Sequence, residues 1–136
     1  MNSYKTMPDN LPRPIDDGAC DHLIGMKLPN IELIATNGSL VNLSSHSRKT
    51  VIYCYPMTGK PGVPLPDGWD EIPGARGCTP QSCSFRDHHA ELSTLEADVF
   101  GLSTQNTEYQ REMADRLHLP FLVLSDVNLE FCEAMK

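Results

Sequence analysis

A chain of 136 residues with 40% hydrophobic and 21% charged content fits one domain with a modest core and excludes disorder throughout. Eleven basic against 18 acidic residues give a formal net charge of −7, which disfavours nucleic acid and anionic membrane as partners and suits a small neutral substrate. Met1 to Asp17 lacks the apolar core of a secretory signal, and no run approaches the ~20 apolar residues of a membrane span, so the expected location is cytoplasmic.

Residues 1–20 read as a flexible N-terminal tail, kept extended by Pro8, Pro12 and Pro14, and residues 21–136 as the folded domain. Cys20-Asp21-His22 brings two metal-binding side chains together, but two are too few and no zinc spacing follows, so no metal is expected. Ile31–Ala35 and Ser39–Leu43, joined by the turn signal Asn37-Gly38, predict an opening β-hairpin. Thr50–Pro56 is β-branched, aromatic and nearly all apolar, as for a central strand covered on both faces, with Cys54 as a buried packing residue.

Residues 57–75 then form a long Pro/Gly-rich loop, a length that suits a lid or flank of a functional pocket. Trp69, the only tryptophan, sits within it as a candidate hydrophobic anchor.

The chain is organised around the next stretch, Gly77-Cys78-Thr79-Pro80-Gln81-Ser82-Cys83-Ser84-Phe85-Arg86-Asp87. Thr79 suits a helix N-cap and Pro80 the first helical position, which puts Cys78 at a helix N-terminus. There the free backbone N–H groups and the helix dipole favour a thiolate, so a depressed pKa is expected for Cys78, with Arg76 and Arg86 adding positive charge nearby. The plain alternative is a small buried residue at a helix start. Cys83 shifts the balance, because a second thiol can attack an oxidised Cys78. Were both helical, a rise of ~1.5 Å per residue would put their Cα atoms roughly 8–9 Å apart, beyond the ~7 Å a disulfide tolerates. Closing that disulfide therefore requires the first turn to unwind.

A helix from about Pro80 to Ala97 is expected to pack Phe85, His89, Leu92 and Leu95 on a sheet. His88 and His89 lie ~15 Å along it, too far to act as bases for Cys78. Val99–Ser103 reads as a parallel strand, Thr107–Leu117 as a helix, Phe121–Leu124 as a strand, and Asp126 as the cap of a last short helix with Leu129, Phe131, Met135 and Cys132 on or beside its apolar face. This order implies right-handed crossovers and a mostly parallel sheet flanked by helices, an α/β fold. The odd set of five cysteines, Cys20, Cys54, Cys78, Cys83 and Cys132, suits a reducing compartment.

Gly77-Cys78-Thr79-x-x-x-Cys83-x-Phe85-Arg86-Asp87 resembles the peroxiredoxin family, in its bacterioferritin-comigratory (Q-type) branch. The resemblance covers roughly His22 to Lys136. It implies a thioredoxin-like fold, a peroxidatic cysteine at Cys78 and a resolving cysteine at Cys83. It also implies further antiparallel strands, a closing helix and an arginine beyond Lys136, so the chain reads as C-terminally truncated or as a divergent short form. The wider family pattern Pro-x-x-x-Thr-x-x-Cys is not reproduced: Ala75 stands at the threonine position and Glu71 at the proline position.

The expected function is a thiol-dependent peroxidase acting on hydrogen peroxide or organic hydroperoxides. Catalysis falls to Cys78 and Cys83, with Thr79, Arg76 and Arg86 as supporting candidates. A thioredoxin-like or other dithiol reductant is the implied partner, no cofactor is needed, and monomer and homodimer both stay open. Two other readings stand beside it: a non-catalytic thioredoxin-like fragment that binds partners through an uncovered sheet edge, and a disulfide reductase, for which Cys-x-x-x-x-Cys is the wrong spacing.

Overall fold

The computed structural model describes residues 9–136, so the first eight residues of the expected tail lie outside the described residues. Strands β1 (Glu32–Ala35) and β2 (Leu40–Asn42) form the antiparallel hairpin, with Gly38 at φ 85° and the Asn37 side chain accepting from the Ser39 N–H. These two residues make the turn because one tolerates a left-handed backbone and the other closes it with a local hydrogen bond. Strands β3 (Lys49–Cys54), β4 (Ala97–Ser103) and β5 (Leu122–Ser125) follow, and the sheet order is β2-β1-β5-β4-β3. The β3, β4 and β5 strands are parallel, and β1 joins β5 antiparallel.

Alternation along β4 and β5 gives each sheet face its own core. Phe100, Leu102 and Leu124 face one side with Leu33, Ala35, Leu43 and Phe131. Val99 and Val123 face the other with Tyr53, Tyr55, Cys78, Met113 and Phe121. A sheet buried on both faces accounts for the near-continuous apolar runs of these strands. Among the described residues no helix is long and apolar enough to cross a membrane.

The structure moves several expected elements. Strand β3 is an edge strand, because β4 and β5 lie between it and the hairpin. Its last residue, Cys54, is accordingly exposed and not buried. The helix expected over about Pro80–Ala97 is two helices, α1 (Cys78–Asp87) and α2 (His89–Thr94), separated where His88 leaves helical geometry at φ −100° and ψ 8°. Leu95 is exposed and β4 already begins at Ala97, while Phe85 and Leu92 pack on the sheet as expected.

Helix α3 (Thr107–Leu117) is capped by Asn106, whose Oδ1 accepts from the Tyr109 N–H, and it buries Met113 and Gln110. Asp126 caps α4 (Glu130–Ala134) from a distance: its two carboxylate oxygens accept the N–H groups of Phe131 and Cys132, both at 2.9 Å. Phe131 is buried, whereas Cys132 and Leu129 are exposed. His22 faces the carbonyl oxygens of Ala19 and Met135 with its two ring nitrogens.

Helix α1 docks on the sheet through Tyr53. The ring stacks on Phe85 with centroids 4.7 Å apart, and its hydroxyl donates to Ser82 Oγ at 3.1 Å in the interior. Gly101 makes this possible, since a Cβ there would lie 2.8 Å from the Tyr53 hydroxyl oxygen and 2.9 Å from the ring carbon that bears it. Gly101→Ala is therefore expected to destabilise the fold by about 1–3 kcal/mol, the usual cost of overpacking a filled core. Urea unfolding measures it, and a variant as stable as the parent would show that the ring has room to move.

Candidate functional site

Helix α1 begins two residues earlier than the cap signals predict. Its N-cap is Gly77, already helical at φ −73° and ψ −15°, and the Gln81 N–H donates to the Gly77 carbonyl at 3.0 Å. Thr79 makes no capping bond, and Pro80 falls within the first turn, where its missing N–H costs nothing. Cys78 is thus the first helical residue. It is buried, and Cys83 is half-buried on the same helix. Neither is bonded to another cysteine.

Both thiols line one cavity of about 1140 Å³. The 57–75 loop forms much of its wall through Met57 to Glu71, with Trp69 among these residues, and the far side comes from α3. The three supporting candidates, Arg76, Thr79 and Arg86, all line it as well. Arg76 pairs with Asp70 through Nε–Oδ1 at 2.5 Å and Nη2–Oδ2 at 2.6 Å, which folds the loop back on itself. This hydrogen bonding holds the Asp70 carboxyl below its ordinary range. Arg86 donates to the Leu117 carbonyl at 2.8 Å and to Asp87 at 2.9 Å, fastening α1 to the end of α3.

The expected depressed pKa of Cys78 is not found. Burial pushes the thiol up, and the backbone N–H groups of Met57 and of Cys78 itself only partly oppose it. Desolvation disfavours any buried thiolate, and here it outweighs the two donors. Arg86 is itself raised, first by its hydrogen bond to Asp87, and Tyr53 beneath the helix is pushed up to about 12, mainly by burial.

Three residues of the site escaped the sequence reading. Thr58 is 2% exposed and lines the cavity, yet its Oγ1 is buried without a hydrogen-bond partner. Such an atom is costly unless a ligand or water satisfies it. Gln105, just after β4, bonds the backbone of Thr58, and Arg116 near the end of α3 donates to the Gly59 carbonyl at 3.1 Å and pairs with Glu112 at 2.7 Å. The signal for Thr58 was its place two residues after Tyr55-Pro56; nothing local marks Gln105 or Arg116, which reach the loop only because β3, β4 and β5 end on the same side. Among the described residues no group of three or more side chains could hold a metal.

A mixed five-stranded sheet whose three parallel strands end beneath a cysteine in the first turn of a helix defines a thioredoxin-like fold of the peroxiredoxin type. The redoxin family model matches residues 23–136, and the chain belongs to the redoxin family. It is similar to Peroxiredoxin Bcp of Bacillus subtilis (strain 168), at 33% identity over 112 residues, covering 82% of this chain and 62% of that protein. Peroxiredoxin Bcp of Escherichia coli (strain K12) is 31% identical over 106 residues, with 77% and 58% covered. The chain therefore spans about three fifths of the length of these relatives.

Among solved structures, Xanthomonas campestris Peroxiredoxin Q has a TM-score of 0.62 at 19% identity, covering 98% of this chain and 66% of that one. Peroxidoxin BcpB from Mycobacterium tuberculosis has a TM-score of 0.65 at 23% identity, covering 81% and 63%. At these identities the likeness concerns the fold.

The raised Cys78 pKa has a direct readout. In the reduced chain the rate of Cys78 alkylation by iodoacetamide should keep rising above the pH at which a free thiol levels off, because the thiolate forms later. Peptide mass spectrometry resolves it from the exposed Cys20, Cys54 and Cys132; a plateau near neutral pH would mean that the helix start outweighs burial after all.

Proposed function

We propose that the chain is a thiol peroxidase in which the Cys78 sulfur attacks a hydroperoxide. The observation that carries this reading is a cavity lined by Cys78, Cys83 and Thr58, whose buried hydroxyl has no hydrogen-bond partner. The family and the named relatives support it. The Cys78 thiolate forms an S–O bond as the O–O bond breaks; the leaving oxygen takes a proton and departs as water or an alcohol, and Cys78 is left as sulfenic acid. The Met57 and Cys78 N–H groups hold negative charge on the sulfur, and the Thr58 hydroxyl donates to the peroxide oxygen. Thr58 thus fills the part that Ala75 cannot. Removing one such donor costs ~10²–10³ in rate in other enzymes.

Cys83 then attacks the sulfenic acid: the S–S bond forms, the S–O bond breaks and water leaves. Because both cysteines start in α1, the first turn and a half unwinds to bring them within disulfide reach. A dithiol reductant of thioredoxin type restores both thiols by two exchanges. Burial pushes the Cys78 thiol up, so ionisation of the sulfur opposes the first step.

One equivalent of hydrogen peroxide, quenched after seconds and mapped by mass spectrometry, is expected to give a selective Cys78–Cys83 disulfide. Cys78→Ser should abolish peroxide consumption, while Cys83→Ser should leave the first oxidation and accumulate sulfenic acid. Scattered oxidation over all five cysteines, or consumption by Cys78→Ser at the parent rate, would overturn the assignment. Hydrogen exchange should also show loss of amide protection in the first turn of α1 on oxidation.

The edge position of β3 favours one second reading, a binding module that pairs a partner strand along it. Slow, unselective thiol oxidation together with concentration-dependent association would move that reading ahead.

A further inference from the structure

The backbone that faces Cys78 leaves the sheet before it reaches the thiol. Tyr55 N–H still donates to the Leu102 carbonyl at 3.1 Å, beyond the last residue of β3. Pro56 has no N–H to continue the ladder, so the pairing of β3 with β4 stops there. Two residues on, a side chain resumes it: the Thr58 N–H donates to Gln105 Oε1 at 3.0 Å, and Gln105 Nε2 donates to the Thr58 carbonyl at 3.2 Å. One amide side chain thus engages both polar groups of a single residue, as a neighbouring strand would.

Gln105 is itself held at the ends of β4 and β5. Its carbonyl accepts from Ser125 Oγ at 2.7 Å, and its N–H donates to Ser103 Oγ at 3.4 Å. The clamp sits between the two groups that matter to the thiol. Met57, just before it, supplies an N–H that favours the Cys78 thiolate, and Thr58 carries the unpartnered hydroxyl of the cavity.

We propose that Gln105 is a positioning residue for Cys78: by gripping both sides of Thr58 it holds the Met57 N–H against the sulfur and keeps the Thr58 hydroxyl in the cavity. Gln105 does not line the cavity and so acts only through the backbone it holds. The inference rests on Cys78 being the reacting thiol.

Other charged and titratable groups surround that thiol. From the loop and the turn before α1 come Lys60, Asp67, Asp70, Glu71 and Arg76. Cys83 and Arg86 come from α1, Arg116 and His118 from the end of α3, and Tyr53 and Tyr55 lie beneath, from β3 and the residue just after it. Gln105 bonds Thr58, Ser103 and Ser125, all uncharged, so a change there reads the backbone donor and not a lost charge.

The test is the pH midpoint of Cys78 alkylation in the parent chain, Gln105→Leu and Gln105→Asn, with Asp98→Ala as a destabilised control far from the cavity. Asp98 pairs with His46 and Arg48 at the start of β3 and β4, so its loss weakens the fold without touching the clamp. Gln105→Leu is expected to raise the midpoint by about one pH unit, roughly a tenfold loss of thiolate at neutral pH. Gln105→Asn, neutral but one methylene too short, should move it less in the same direction, and Asp98→Ala should not move it.

A midpoint unchanged in both Gln105 variants, or shifted equally by Asp98→Ala, overturns the proposal. Where Gln105→Leu does not fold, Gln105→Asn decides alone. Alkylation needs no peroxide turnover, so a shifted midpoint in a chain that consumes no hydroperoxide would leave Gln105 in its role and remove the peroxidase reading.

Discussion

The placement of both thiols depends on how Tyr53 joins β3 to α1. Its ring lies over Gly101 of β4, stacks on Phe85 and meets Phe121 edge-on at 5.9 Å, while its hydroxyl reaches Ser82. Ser82 and Phe85 lie one turn apart on α1 and flank Cys83, so the same contact that anchors the helix sets which way its first turn points. Cys78 then falls over the strand ends and inside the second core cluster. Aromatic stacking and a buried hydrogen bond are each worth only about 1 kcal/mol, but together they remove the freedom of α1 to rotate on the sheet.

That docking creates the central tension of the site. A helix start and free N–H groups favour a thiolate, whereas the apolar cluster in which Cys78 sits disfavours it, and burial prevails. A buried sulfur is nevertheless protected from indiscriminate oxidation, unlike Cys20, Cys54 and Cys132, which are exposed. The proposed reaction therefore leans on the donors of Met57 and Thr58 rather than on the local charge of Arg76 or Arg86. Both arginines are occupied in holding structure: one ties down the loop and the other the end of α3.

The sequence carried the fold where periodicity and turn chemistry were local. Asn37-Gly38 announced the hairpin, the four-residue spacing of Tyr109, Met113 and Leu117 marked α3, and Gly77-Cys78-Thr79 with Cys83 singled out a stretch that lines the cavity. The misreadings have one source, which is that a run of residues does not reveal its neighbours. Val51, Ile52 and Tyr53 look the same in a central strand and in an edge strand with a helix over one face. Cys54 inherited that error. Cys78 did too, since a helix N-terminus is visible in sequence but the depth of burial that opposes it is not. Gln105 and Arg116 were illegible because their partners lie across the sheet, in a loop whose path only the tertiary fold sets.

The loop itself shows why a departure in motif spacing need not remove the chemistry. Between Thr58 and Cys78 the chain runs through the long Pro/Gly-rich stretch, and Ala75 stands where a hydroxyl is expected. The start of that stretch is held from outside it, Thr58 by Gln105 and Gly59 by Arg116, and its far end runs into α1, with Arg76 paired to Asp70 within the stretch. Once the ends are held, extra residues between them add little, because loop closure costs only about 0.6 kcal/mol for each doubling of length. Prolines in the loop reduce even that by limiting its unfolded conformations. A hydroxyl can therefore lie far from the thiol in sequence and still share its cavity, provided the backbone that carries it is held to the sheet. Spacing counted along the chain is a guide to the site only where no side chain has taken over the work of the strand.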